Sequence, residues 1–303
     1  MRKMSGVNTP IPTPMTDNGV LDEESLASLC AYLAGSGVQG IYANGTTGEM
    51  GYLSPEEREA AAEICVQTAA HRIGVYIMTG AMTTAETVRL SRHAADIGAD
   101  GIGVVTPYYF GLTDEELYCH FRAVSEAVPE DFPVYLYGIP HCAANDLSVP
   151  LVERLAENCP NIIGIKYSEP DMKKLMRFMQ IRDGAFSVLP GTEDLFYPAL
   201  CCGADGVIAG SSNLIPELFA GIYESFRKGD HERARRLQNT ANSLLPVING
   251  PQNISRYKEG LCARGVIGSA GIRRPMIPVG DTVRREVREL VSRYLRELPA
   301  LIL

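Results

Sequence analysis

The sequence predicts an α/β fold, a (β/α)8 TIM barrel with a C-terminal helical appendage. Eight short apolar runs alternate with eight amphipathic stretches at a mean repeat of about 25–30 residues, which suits a barrel of roughly 250 residues. One local pattern also recurs: GVQGIYANGTTG begins at Gly37, GADGIGVVTPYY at Gly98 and GADGVIAGSSN at Gly203. Each sets a glycine, two residues and a second glycine ahead of an apolar run. That spacing describes a helix stopped by a left-handed glycine, a tight turn and a buried parallel strand. No G-x-G-x-x-G follows the first strand, as a doubly wound dinucleotide fold would need.

Taken in order, the apolar runs predict strands over residues 7–12, 40–43, 75–78, 101–105, 134–137, 162–166, 186–189 and 206–209. The helical patterns between them cover 23–34, 55–70, 84–97, 114–128, 149–157, 172–181, 194–202 and 215–227. Ser54 followed by Pro55 marks one helix start, a capping hydroxyl with proline in the first turn. After residue 227 the strand pattern stops. Residues 230–248, 253–264 and 281–298 read as helices separated by Gly-Pro and Arg-Pro breaks. The expected division is therefore a barrel over 1–228 and an extension over 229–303. No Gly/Ser-rich linker separates them, so the extension should pack on the barrel.

Composition narrows the function. The 303 residues carry 28 basic and 36 acidic side chains, a formal charge of −8. An acidic chain without a basic cluster argues against a nucleic-acid partner. No stretch approaches the ~20 apolar residues that span a bilayer. The N-terminus MRKMSGVNTP has no apolar run behind its basic residues, so it does not read as a signal peptide. The eight cysteines form no CxxC pair, and neither they nor the five histidines have metal-like spacing. Buried free thiols in a reducing compartment are expected, which suggests the cytoplasm. No metal is expected.

In a TIM barrel the chemistry sits at the C-terminal ends of the strands. Lys166 ends the apolar run Ile162-Ile163-Gly164-Ile165. A lysine at an apolar mouth loses hydration, which disfavours its charged form. A neutral amine there can attack a ketone and form an iminium, an electron sink that permits C–C bond making or breaking. A strand-end lysine can also simply reach for solvent. Tyr137, on the neighbouring strand, could relay protons through Thr46 to a second tyrosine. The loop Gly45-Thr46-Thr47-Gly48-Glu49 offers backbone N–H groups and hydroxyls to a carboxylate, and reads either as such a cradle or as a plain helix start. His141, just after strand five, is a possible substrate contact.

These pieces together resemble the dihydrodipicolinate synthase / N-acetylneuraminate lyase family of pyruvate-dependent class I aldolases. The resemblance rests on GTTGE at 45–49, VTPYY at 105–109, YGIP at 137–140, IIGIKYS at 162–168, GADGVIAGSSN at 203–213 and RRP at 273–275. It runs from Thr9 to Pro278. It implies that Lys166 forms a Schiff base with pyruvate, and that Tyr137, Thr46 and Tyr109 move protons. It further implies that Thr47 holds the pyruvate carboxylate and that Gly191 and Ile208 wall the site. No metal or organic cofactor is implied. The family's second tyrosine often comes from a neighbouring subunit, which implies a homodimer or homotetramer.

Two departures bear on the second substrate. Dihydrodipicolinate synthases carry an arginine two residues after the YGIP-type proline, where this chain has Cys142. N-acetylneuraminate lyases carry a serine where Gly210 stands. GSSN resembles the branch that acts on 2-oxo-3-deoxy sugar acids, and such a lyase is the leading expectation. A dihydrodipicolinate synthase, an N-acetylneuraminate lyase and a sugar-acid dehydratase are the alternatives, with a non-catalytic 2-oxo acid sensor more remote.

Overall fold

The computed structural model describes residues 3–302. Eight parallel strands alternate with helices: β1 (Gly6–Pro10), α1 (Glu23–Ala34), β2 (Gly40–Ala43), α2 (Pro55–Ala69), β3 (Gly74–Met78), α3 (Thr84–Asp96), β4 (Gly101–Val105) and α4 (Asp114–Glu126). The chain continues through β5 (Val134–Gly138), α5 (Pro140–Ala143), α6 (Val149–Asn158), β6 (Ile162–Tyr167), α7 (Met172–Phe178), β7 (Ser187–Pro190), α8 (Phe196–Cys202), β8 (Gly206–Ile208) and α9 (Pro216–Arg227). Three further helices follow, α10 (His231–Ile248), α11 (Asn253–Ala263) and α12 (Asp281–Ile302). The strand order β7-β6-β5-β4-β3-β2-β1-β8 is that of a TIM barrel.

The recurring G-x-x-G units do more than turn the chain. Gln39, Asp100 and Asp205 each stand just before a strand's opening glycine. Each clasps the second residue of the preceding strand twice. Gln39 donates its N–H to the Val7 carbonyl and accepts the Val7 N–H on Oε1, both at 2.8 Å. Asp100 does the same to Val75, at 2.9 and 2.8 Å. Asp205 does so to Val188, both bonds at 3.1 Å, and thereby joins β8 to β7, the two ends of the strand order.

Two apolar clusters divide the core. The larger lies between the strands and the helix ring. The smaller fills the barrel interior with Tyr42, Tyr76, Tyr135 and Tyr137 among Met78, Val105, Ile163, Leu189 and Ile208. Rings of this size need gaps opposite them. A Cβ on Gly103 would stand 1.8 Å from the Tyr42 hydroxyl, so the glycine in GIGVV makes room for a phenol.

The last three helices lie against the barrel. Arg264, which caps the C-terminus of α11, and Tyr294 of α12 both reach Glu217 on α9, at 2.5 and 2.9 Å. Glu259, buried on α11, pairs with Arg284 and Arg288 of α12 at 2.8 and 2.9 Å. No helix among the described residues is long and apolar enough to cross a membrane.

Several expectations are corrected. The four-residue helix α5 after β5 is not foreseen by the sequence, because one turn is too short to show a helical period. Helix α7 stops at Phe178, and α8 begins only after a 3-10 turn over Glu193–Leu195. All eight cysteines are free, but Cys119, Cys142, Cys201 and Cys202 are exposed rather than buried. Cys30 and Cys65 do meet in the core, with Sγ atoms 3.6 Å apart.

Candidate active site

Lys166 faces the barrel interior because of one extra residue. Strand β6 pairs with β5 as Val134↔Ile162 and then Tyr135↔Gly164, so Ile163 is bulged. Strict alternation would carry Ile163 and Ile165 to the same face. Instead Ile163 joins the interior cluster, Ile165 joins the outer one, and Lys166 comes into register with Tyr137.

The buried Lys166 amine lies 3.9 Å from the centre of the Tyr137 ring and 4.9 Å from that of Tyr42. The two rings meet edge to face at 6.4 Å. Among the described residues the lysines that form ion pairs are Lys174, Lys228 and Lys258, and Lys166 is not one of them. The Tyr137 hydroxyl lies 3.4 Å from Thr46 Oγ1. The predicted trio of Lys166, Tyr137 and Thr46 is therefore brought together.

Tyr42 completes the group and is absent from the sequence reading, since GIYA looks like any core strand. Its hydroxyl has no hydrogen-bond partner among the described residues. Burial, followed by the neighbouring Tyr137 phenol, raises its pKa well above the ordinary tyrosine range. Tyr42 thus stays protonated and offers Lys166 an aromatic face.

The GTTGE loop is a tight turn that leads into a 3-10 turn over Met50–Tyr52, not directly into α2. Glu49 is left-handed, with φ of 61°, its N–H bonds the Thr46 carbonyl at 3.1 Å, and α2 begins only at Pro55. Gly45 accepts the Met50 N–H at 3.3 Å. Among the described residues the N–H groups of Thr46 and Thr47 meet no backbone carbonyl outside regular structure, which suits an anion cradle. The Glu49 side chain makes no capping bond to the 3-10 turn that follows it. It forms a fully buried ion pair with Lys258 of α11. The Lys258 amine also donates to the Gly271 carbonyl at 2.7 Å, and Glu49 Oε2 accepts the Arg273 N–H at 3.3 Å. Burial pulls the Lys258 pKa down, and Glu49 opposes that shift.

The late RRP motif is a clamp on this loop. Arg273 grips Glu57 of α2 with two bonds, at 2.6 and 2.8 Å, and also holds the Gly19 and Tyr52 carbonyls. Nothing in the local sequence links Glu49 to a lysine 209 positions later.

Tyr109 does not reach Thr46 within the chain. It adopts φ of 80°, is 77% exposed, and packs edge to face on exposed Phe110. Asn145 holds this loop by donating to the Pro107 and Phe110 carbonyls at 2.7 and 2.8 Å and accepting the Leu112 N–H at 2.7 Å. Tyr108 points to the mouth in its place.

Ile208 ends β8 in the interior cluster. Gly191 follows β7 against Ser168, whose Oγ would stand 2.0 Å from a Cβ there. Gly210 lies beneath Tyr257, whose hydroxyl would stand 2.4 Å from a Cβ. That phenol donates to Asn249, which in turn bonds the buried Glu193, and Glu193 accepts the Ser211 N–H at 2.9 Å. Burial raises the Glu193 pKa, while Ser211 and Asn249 pull it back. His141, on α5, turns to Glu169 at 2.5 Å and is mostly exposed. Cys142 lines the cavity, and burial, then Glu169, raises its thiol pKa.

A cavity of about 340 Å³ adjoins this cluster at Thr46; Lys166 and Tyr137 are not among its lining residues. It is bounded by Thr46, Glu49 and Met50 from the turn, Val105 at the end of β4 and Tyr108 after it, Ile139 and Cys142 after β5, and Ile254 and Met276 from the C-terminal region. Among the described residues no group of three or more His, Cys, Asp or Glu side chains is placed to hold a metal ion.

A closed barrel with a buried lysine, a phenol and a hydroxyl converging at its mouth defines a class: a (β/α)8 enzyme equipped for imine chemistry. Residues 3–294 match the model of the dihydrodipicolinate synthetase family, and the chain belongs to it. It is a lyase of the pyruvate-dependent class I kind. An uncharacterized DapA-like lyase of Pyrococcus horikoshii is 35% identical over 95% of this chain and 100% of the relative. A 4-hydroxy-tetrahydrodipicolinate synthase of Syntrophus aciditrophicus is 34% identical over 95% and 98%. Among solved structures, the prophage protein YagE of E. coli K12, of the dihydrodipicolinic acid synthase family and in complex with pyruvate, superposes with a TM-score of 0.90. It is 31% identical, over 95% of this chain and 98% of that one.

Proposed function

We propose that Lys166 condenses with the ketone of pyruvate and that the resulting enamine adds to an aldehyde, or forms by the reverse cleavage. The observation that carries this is the Lys166 amine held 3.9 Å over the ring of Tyr137, whose hydroxyl meets Thr46 at the mouth. Nitrogen attack on the pyruvate carbonyl releases water and gives an iminium. Loss of a C3 proton gives the enamine. Its C3 bonds the aldehyde carbon, the aldehyde oxygen takes a proton from Tyr137, and water frees the lysine and a 4-hydroxy-2-oxo acid. Thr47 and the loop N–H groups hold the carboxylate, with Gly191 and Ile208 as walls.

Borohydride reduction in the presence of pyruvate, followed by intact-mass measurement and peptide mapping, tests this. A reduced pyruvyl adduct on Lys166 is expected, and its absence from wild type overturns the assignment. Lys166→Ala should give none.

The sugar-acid expectation loses its motif. All three residues after Gly210 are fully buried: the Ser212 hydroxyl bonds Thr9 of β1 and the Ala209 carbonyl, Asn213 donates to the Pro10 and Gly210 carbonyls, and Ser211 gives its N–H to Glu193, while Ser211 Oγ and Asn213 Oδ1 have no hydrogen-bond partner among the described residues. None lines the cavity. We keep pyruvate as the donor and take up its partner below. We also place the enzyme in the cytoplasm as a homodimer or homotetramer, with residues 229–303 as an extension that supports the mouth. The exposed Tyr109 and Phe110 rings support association.

A further inference from the structure

We infer that the aldehyde accepted by this site carries an apolar tail, aliphatic or aromatic, and no carboxylate, phosphate or polyol. The inference deepens the pyruvate reading and rests on it. The cavity beyond Thr46 is walled by Met50, Val105, Ile139, Ile254 and Met276. Tyr108 adds its ring. A volume of about 340 Å³ leaves room for a tail beside a three-carbon acid. The two methionines of this wall adapt to flat and branched shapes and favour aromatic neighbours.

The residues that line the cavity include no lysine, arginine or histidine. Glu49, the acidic group on the wall, is cancelled by Lys258. Arg58, buried behind the turn, donates to the Met78 and Gly80 carbonyls at 2.8 and 3.1 Å. Arg273 is taken by Glu57, Gly19 and Tyr52. His141 is held by Glu169. An anionic aldehyde would enter without a cation to receive it, and a polyol would surrender water for methyl and thioether groups. An apolar aldehyde loses nothing comparable and gains from leaving water. The addition is a plain aldol step. One C–C bond forms, the aldehyde oxygen gains a proton, and no electrons are exchanged with a third partner.

Initial rates with pyruvate and a panel of butanal, benzaldehyde, glyceraldehyde and aspartate semialdehyde test the inference. We expect kcat/KM for butanal or benzaldehyde to exceed that for both polar aldehydes by at least about tenfold. Met276→Lys should cut the benzaldehyde value at least about tenfold and narrow the gap to aspartate semialdehyde, whereas Met276→Leu should stay within about threefold of wild type. Borohydride trapping with pyruvate alone is run on every protein. No adduct on wild type sinks the Schiff-base reading and this one with it. An adduct together with a preference for either polar aldehyde overturns only the present inference. An adduct with no turnover of any aldehyde overturns it equally.

Discussion

Removing Lys258 should be far more damaging than its distance from the chemistry suggests. Its side chain and that of Glu49 are both fully buried, and each is the other's counter-ion. Lys258→Met would leave a carboxylate in the cavity wall with one N–H donor, from Arg273 at 3.3 Å. It would also strip the Gly271 carbonyl of its 2.7 Å donor. Breaking such a pair from one side costs about 3–5 kcal/mol, a large share of the roughly 5–15 kcal/mol that separates folded from unfolded chains. Glu49→Gln should cost less, about 1–3 kcal/mol, because the amide still accepts from Lys258 and Lys258 keeps Gly271. The double variant Glu49→Gln/Lys258→Met buries no charge and should recover part of the single loss. Urea unfolding followed by circular dichroism measures all three. A Lys258→Met loss below about 1 kcal/mol, or a double variant equal to the sum of the singles, would refute the reasoning.

Three other perturbations have definite outcomes. Tyr137→Phe should still be trapped by borohydride with pyruvate, yet lose about 10²–10⁴ in kcat, since it removes a proton carrier and keeps the ring beneath Lys166; unchanged kcat would exclude Tyr137 as the acid. Gly210→Ala drives a methyl into the Tyr257 hydroxyl and should cost about 1–3 kcal/mol by thermal unfolding, with partial rescue by Tyr257→Phe. His120 is buried with Thr84 2.9 Å from its Nδ1, and burial lowers its pKa from 6.5 to about 4. Its folded pKa is depressed, so as pH falls below about 6.5 the unfolded chain takes up the proton first. Stability is complete above that pH and declines toward pH 4, by about 1.4 kcal/mol per pH unit and roughly 3 kcal/mol in all. His120→Gln should flatten that part of the stability profile, and an unchanged slope would show that other groups cause it.

Much of the barrel could be read from sequence because its signals are local. A strand buried on both faces is a short apolar run, and a left-handed glycine announces the turn before it. Lys166 was legible for the same reason, as the charge that ends such a run. What escaped depends on contacts between distant residues or on backbone angles. Tyr42 looks like core until Gly103, 61 positions later, is found opposite it. Glu49 and Lys258 carry no mark of their pairing. Tyr109 follows Tyr108 in a motif that suggests both face inward, but a φ of 80° and the hold of Asn145 on the loop send them apart. Ser212 and Asn213 in GSSN look like substrate ligands, yet both bond β1, because the 3-10 turn over Gly210–Asn213 folds them beneath the strand end.

The clasps formed by Gln39, Asp100 and Asp205 lie at the N-terminal ends of the strands, on the floor of the barrel, while Lys166 and its neighbours occupy the rim. The ring is therefore fastened at one end and used at the other. Loops at the rim can change length and lining without loosening the clasps below, while the β5–β6 ladder keeps Lys166 and Tyr137 in register. A new aldehyde specificity can thus arise from a few exchanges around Met50, Cys142 and Met276, on a frame that need not be rebuilt for each one.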